Sequence, residues 1–128
     1  MCIRDRTNEY KTGKTGNEIL ANTLQKGKTA GLRPMIYTHP IGYHGHGAGP
    51  TIGLWDQQGG VPYKGDYSLY PNTAYSIELN NTVYLKEWNK DIRIMLEEDG
   101  FFDGEDFYYI DGRQTELFLI PRPLVKVK

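Results

Sequence analysis

Ala74-Tyr75-Ser76-Ile77-Glu78-Leu79-Asn80 is the stretch on which the fold turns. Tyr75, Ile77 and Leu79 alternate with Ser76, Glu78 and Asn80, a period of two that places three large apolar side chains on one face of a strand and the polar ones on the other. Asn80-Asn81 then suits a tight turn, and Thr82 to Lys86, β-branched and aromatic, reads as the return strand. Ile92 to Glu97 alternates again, with Ile92, Ile94 and Leu96 opposed to Arg93, Met95 and Glu97. Phe107 to Ile110 and Glu116 to Ile120, joined through Asp111-Gly112, read as a closing hairpin, after which Pro121 and Pro123 end the sheet.

Upstream the pattern changes. Thr15-Gly16-Asn17-Glu18 is a T-x-x-E capping box, whose hydroxyl and carboxylate satisfy orphan helix N–H groups reciprocally, so a helix is expected to start there. Ile19, Leu20 and Leu24 supply its apolar stripe, Lys26 and Lys28 suit the negative end of its dipole, and Gly31 suits its stop. Arg33-Pro34 leads into a short strand over Met35 to Thr38, because the residue before proline is biased away from the helical region. From Gly42 to Gly65 glycine recurs every few residues, Pro50 and Pro62 intervene, and no period lasts. A long shaped loop, dense in His, Trp and Tyr, is expected, and loops of that length are commonly functional. The expected class is α+β, one helix followed by a mainly antiparallel sheet, in one unit without repeats or linkers.

Composition narrows the chemistry. With 15 basic and 16 acidic residues in 128, a formal charge of -1 leaves no cationic excess for phosphates, so nucleic acid is not an expected partner. No stretch approaches the roughly 18 apolar residues that span a bilayer, and no membrane partner is expected. Cys2 is the single cysteine, which excludes an internal disulfide and a cysteine-based metal site, and the compartment is not legible. Met1 to Arg6, MCIRDR, resembles a translated sequencing-adapter remnant and is set apart from residues 7–128.

His39, His44 and His46 cluster within eight residues. His39 is expected to close a strand, a firm platform for a metal ligand, and the glycines flanking His46 leave its imidazole uncrowded for substrate. The plainer alternative is a Gly-rich turn whose histidines bond only to backbone. His44-x-His46 also suggests a cupin, but Ala48, Gly49, Pro50 and Thr51 stand where a cupin needs a glutamate. Glu78 lies on the non-aliphatic face of its strand and Glu97 opposes Ile92, Ile94 and Leu96, so both can face a site, whereas Glu98 shares the aliphatic parity. Their alternative is a pair of solvated glutamates on an open face. One imidazole with several carboxylates suits Mn, Co, Fe or Zn, and two such ions bridged by a carboxylate about 3.5 to 4 Å apart are a hydrolytic centre.

The histidine cluster, Glu78 and Glu97, in that order, together with Thr15-Gly16-Asn17-Glu18-Ile19-Leu20, Tyr75-Ser76-Ile77-Glu78-Leu79 and Arg93 to Asp99 (RIMLEED), resemble the C-terminal part of the catalytic domain of peptidase family M24, the pita-bread fold of methionine aminopeptidase, aminopeptidase P and prolidase. The likeness runs from Thr12 to Pro123, and Asp111-Gly112-Arg113-Gln114-Thr115-Glu116 to Pro121 is similar to a bacterial Xaa-Pro peptidase subgroup. The histidine loop admits two registers. Gly45-His46-Gly47-Ala48-Gly49 resembles the family's ligand loop but puts its second histidine at Gly53, whereas His39 to His46 keeps an H-x-x-G-x-x-x-H spacing with Gly42 in place. In that second register the resemblance implies His39 and Glu78 as metal ligands, Glu97 as the carboxylate bridging two divalent ions (Mn, or Co, Zn or Fe), and His46 as the catalytic histidine that polarises the scissile carbonyl.

The activity so implied is aminopeptidase or dipeptidase hydrolysis of N-terminal Xaa-Pro bonds by metal-bound hydroxide, with a peptide substrate and a homodimer as an option. Two departures stand out. The family's aspartate pair has no counterpart in residues 7–14, where only Asn8 and Glu9 occur, so the pair is expected in a missing N-terminal part and the fragment alone is expected to be inactive. Met35 stands where aminopeptidase P relatives carry another histidine. A binding module on the same fold with a decayed metal site is the alternative reading, and a free-standing β-rich binding domain a further one.

Overall fold

The computed structural model describes residues 7–121, and the adapter-like Met1 to Arg6 and the sheet-ending Pro123 lie outside them. Helix α1 spans Gly16–Thr29 and opens as the capping box requires: Glu18 N–H donates to Thr15 Oγ1 at 3.2 Å while Thr15 N–H donates to the Glu18 carboxylate at 2.8 Å. Its buried stripe is Ile19, Leu20, Thr23 and Leu24, and Gly31, at φ +73°, turns the chain away just past the end.

Six strands follow: β1 (Arg33–Ile36), β2 (His39–Gly42), β3 (Gly45–His46), β4 (Thr73–Leu85), β5 (Lys90–Phe102) and β6 (Phe107–Tyr109). They form one antiparallel sheet in the order β3-β2-β4-β5-β6, with β1 beside β2 on the same edge of β4. Among the described residues the fold is therefore α+β, with one long helix and a mainly antiparallel sheet. Ile19, Leu20 and Leu24 of α1 pack with Ile36, Tyr75, Ile77, Leu79 and Phe102 in one core, which Tyr10, Ile52 and Leu69 complete. The polar parity of β4 and β5 is left on the opposite face.

Three strand expectations change. Asn80-Asn81 is not a turn: β4 runs through it, Asn80 opposite Met95 and Asn81 opposite Ile94. The apolar parity continues through Val83, and the Asn81 side chain accepts a hydrogen bond from Arg33 N–H at 3.0 Å, so both asparagines are used within the sheet. The reversal falls instead at a 3-10 turn, Lys86–Trp88, closed by Asn89 at φ 46°, a left-handed conformation that asparagine tolerates. Thr82 to Lys86 and Ile92 to Glu97 are thus parts of one long ribbon. Glu116 to Ile120 forms no strand: Gly112 N–H closes a turn on Tyr109 O at 3.2 Å, but β6 pairs with Gly100 to Phe102 of β5, and Leu117 to Ile120 remain exposed. Finally, the strand expected over Met35 to Thr38 stops at Ile36, and His39 opens β2 rather than closing β1.

That interruption has a cause. The Thr38 backbone exchanges hydrogen bonds with Ile52, at 3.1 and 2.9 Å, and so leaves the β4 ladder. Gly53 follows at φ +73°, where a Cβ would meet Ile36 O at 2.2 Å, so only glycine lets the loop come this close. The Gly-rich loop is pinned from within: Gln58 bonds Ile36 N–H and both Ile36 and Leu54 carbonyls, and Asn17 of α1 bonds both backbone groups of Val61.

Candidate functional site

The site begins at the break between β1 and β2. Because the Thr38 backbone is committed to Ile52, its hydroxyl takes over on the β4 side, accepting from Glu78 N–H at 3.0 Å and donating to Glu78 O at 3.3 Å. Thr38 is fully buried, so this bond holds the Glu78 backbone where the ladder has a gap. The register is unchanged across the gap, with Ile36 opposite Leu79 and His39 opposite Ser76, and the odd-numbered residues His39 and Ile41 fall on the polar face beside Ser76 and Glu78.

On that face His39 Nε2 stands 3.1 Å from Glu78 Oε1. Its other nitrogen, Nδ1, is 2.8 Å from Pro40 O. A carbonyl only accepts, so Nδ1 carries the hydrogen and Nε2 is the nitrogen free to face the carboxylate. His46 lies on β3 opposite Ile41, which brings its ring over His39 with centroids 3.8 Å apart and planes 21° from parallel. Gly42 is needed for this reversal, since a Cβ there would come within 2.8 Å of Gly47 Cα. Both ends of the H-x-x-G-x-x-x-H spacing therefore meet in space.

Glu97 is directly opposite Glu78 across the β4–β5 ladder, on the same face, and its Oε1 accepts from Ser76 Oγ at 3.1 Å. Like charges directly opposed on one face cost roughly 0.2 to 1 kcal/mol unless a cation or donor intervenes. Ser76, with Thr38 and the Pro40 carbonyl, was not singled out by sequence reasoning. For Ser76 a signal existed, its shared parity with Glu78. For Thr38 and Pro40 there was none, because their roles follow from where the ladder breaks. Glu98 has the other parity, as its strand position implies: its Oε1 accepts from Gln114 N–H at 3.3 Å and its Oε2 is buried.

His44 is outside the group. It sits in the turn between β2 and β3, edge-on to Tyr43, and shares no strand face with His46. Glu9 is an anchor rather than a ligand: buried, it accepts from Lys14 at 2.7 Å and Asn22 at 3.2 Å and pairs with Lys26. Burial pushes its pKa up, but these donors outweigh that and hold it at about 2.

The donor chemistry, one imidazole with its remote nitrogen anchored and two carboxylates on one face, fits a divalent ion, and the outer hydrogen bonds from His39 and to Glu97 are of the kind that orient metal ligands. Among the described residues, no three His, Cys, Asp or Glu side chains converge as a complete ligand set. His39 and Glu78 are in contact, and Glu97, opposite Glu78 in the ladder, is bonded to Ser76. No family model, curated protein or solved structure matches this chain.

Proposed function

We propose that this chain carries the C-terminal ligand group of a dinuclear metal-dependent aminopeptidase of the M24 type, on part of a pita-bread fold, cleaving N-terminal Xaa-Pro bonds. The observation that carries this reading is the His39–Glu78 contact, with Nδ1 committed to a carbonyl and Nε2 aimed at a carboxylate oxygen 3.1 Å away. Two lone-pair-bearing atoms at that distance repel unless a proton or a metal ion lies between them. Two divalent ions, when bound, supply Lewis acidity and lower the pKa of bound water. His39, Glu78 and Glu97 would hold the ions, with Ser76 orienting the Glu97 carboxylate. His46, exposed above the His39 ring, hydrogen-bonds the scissile carbonyl oxygen and draws electron density from the carbon under attack. In this reading an aspartate pair would supply the remaining ligands.

The test uses the full-length protein, measuring metal by elemental analysis and turnover on an Xaa-Pro peptide. Glu97→Gln is expected to lower metal content and activity by about 100-fold or more, whereas Glu98→Gln, whose amide oxygen can still accept from the Gln114 N–H, is expected to stay within about tenfold of the parent. The reverse ranking would put the bridging carboxylate one residue later. Negligible effects of both would favour the binding module with a decayed site.

A further inference from the structure

The outer edge of β5 is open. β6 covers only Gly100 to Phe102, and one further bond, Ile110 N–H to Asp99 O at 3.0 Å, ends the pairing. Among the described residues, no backbone group pairs with that edge from Lys90 to Glu98. Since Asp99 O faces outward and alternate residues of an antiparallel strand share a side, Asp91, Arg93, Met95 and Glu97 present both their N–H and C=O groups to the open edge. The side chains there are large and uncovered: Ile94 is 49% exposed, Met95 58% and Leu96 42%. Proteins ordinarily protect such an edge with proline, inward charge or a covering element; the stretch Lys90 to Glu98 holds no proline, and its central residues Ile94, Met95 and Leu96 carry no charge, with Arg93 and Glu97 flanking them.

We propose that this edge is an interface between two copies of the chain, paired antiparallel about a two-fold axis through Met95. The sequence around Met95 is self-complementary in that arrangement. Ile94 falls opposite the partner's Leu96 on the apolar face, and Arg93 falls opposite the partner's Glu97 on the polar face, twice by symmetry. Met95, Arg93 and Glu97 all carry outward-pointing backbone groups, so the central pair and both charged pairs are hydrogen-bonded pairs of the ladder. Any other centre on the strand loses this match; an axis through Ile94, for example, sets Arg93 against Met95.

A second feature fits the same partner. Beyond Asp99 the segment Asp111–Glu116 diverges from β5 and leaves a cavity of about 650 Å³ against Glu97, Glu98 and Asp99. Its walls carry five carboxylates against the single guanidinium of Arg113, an environment that favours a further cation. The partner's Arg93 enters at Glu97, the end of the cavity nearest the axis. The pairing brings a positive side chain from the second copy to the polar face that holds Glu97, the carboxylate the metal reading also uses, and self-association is read without reference to metal or turnover.

The test is complementation by mixing. The 128-residue chain is expected to sediment as a dimer at about 100 µM, and Arg93→Glu and Glu97→Arg are each expected to weaken self-association by about tenfold or more, since each places like charges opposite one another twice. Mixed one to one, the two variants regain opposite charges at both positions and are expected to form a heterodimer at least as readily as the parent forms its homodimer. Circular dichroism of each variant alone establishes that it is folded. A monomeric parent, variants that dimerise unchanged, a mixture that remains monomeric, or open-ended assembly beyond the dimer would each overturn the two-fold edge pairing.

Discussion

β4 and β5 are neighbouring strands with the same alternation and opposite fates. Tyr75, Ile77 and Leu79 on β4 are buried, while Ile94 and Leu96, on the same face of β5 and in register with Asn81 and Leu79, are nearly half exposed. The difference lies in what covers each. α1 and the Gly-rich loop close over β4, through Leu20 and Ile52, while β1 covers its edge and adds Ile36, and nothing comparable among the described residues lies over the middle of β5. Alternation dictates which way a side chain points, and burial depends on whether another element arrives above it.

The largest expected effect exploits this contrast. Ile77→Ala removes a fully buried side chain from the centre of the core and should destabilise the fold by about 4 kcal/mol, as large-to-small core changes do. Ile94→Ala, two pairs along the same face, should cost under about 0.5 kcal/mol in the monomer. Denaturant titration of both variants at dilution checks the comparison, and similar losses would mean that the β5 face is covered in solution.

How much of this was legible follows from the same distinction. The capping box at Thr15 and the parity of Tyr75, Ile77 and Leu79 were readable because each is written in the residues of a single element. The opposition of Glu78 and Glu97 was only half readable: both parities were evident, but the register that sets them face to face depends on a reversal at Asn89 that the Asn80-Asn81 pair concealed. The stack of His46 on His39 and the role of Thr38 were not legible. Both follow from Ile52, fourteen residues beyond Thr38, taking the backbone bonds that β1 would otherwise have continued to make. Glu116 to Ile120 shows the converse, since a run with strand-like residues pairs with no strand among the described residues.

A smaller effect separates the covered flank from the open one by pH. Glu9 beneath α1 is held at about 2, below its ordinary 4.5, by Lys14, Lys26 and Asn22 against the opposing pull of burial. A depressed carboxyl pKa contributes stability that is present above about pH 4.5 and disappears as pH falls toward 2. Allowing for solvent screening, the loss is about 2 kcal/mol. Glu9→Gln should therefore lower stability at pH 7 and flatten its fall below pH 4.5. The Arg33–Asp91 pair, 2.9 and 2.5 Å at the open end of the ribbon, also holds the Asp91 carboxyl below its ordinary value, but it is exposed, so Asp91→Asn is expected to change the acid dependence much less than Glu9→Gln does.

The smallest effect is the most local. Thr38→Val keeps the shape of a buried side chain but leaves the N–H of Glu78 without the acceptor that replaces its missing ladder partner. An unsatisfied buried amide of this kind costs about 1.5 kcal/mol, less than the core deletion because no cavity is opened. The loss should be confined to the covered flank. Amide hydrogen exchange is expected to accelerate at Glu78 and its neighbour Tyr37, whose N–H donates to Glu78 O at 3.2 Å, and to leave the reversal at Asn89 unchanged. Thr38→Ser, which keeps the hydroxyl, should restore protection at Glu78 even though it gives up a methyl group. If Val proved benign and Ser damaging, the methyl rather than the hydroxyl would be what holds Glu78 against His39, and the break in the β1–β2 edge would be a packing feature instead of the polar hinge on which the site is built.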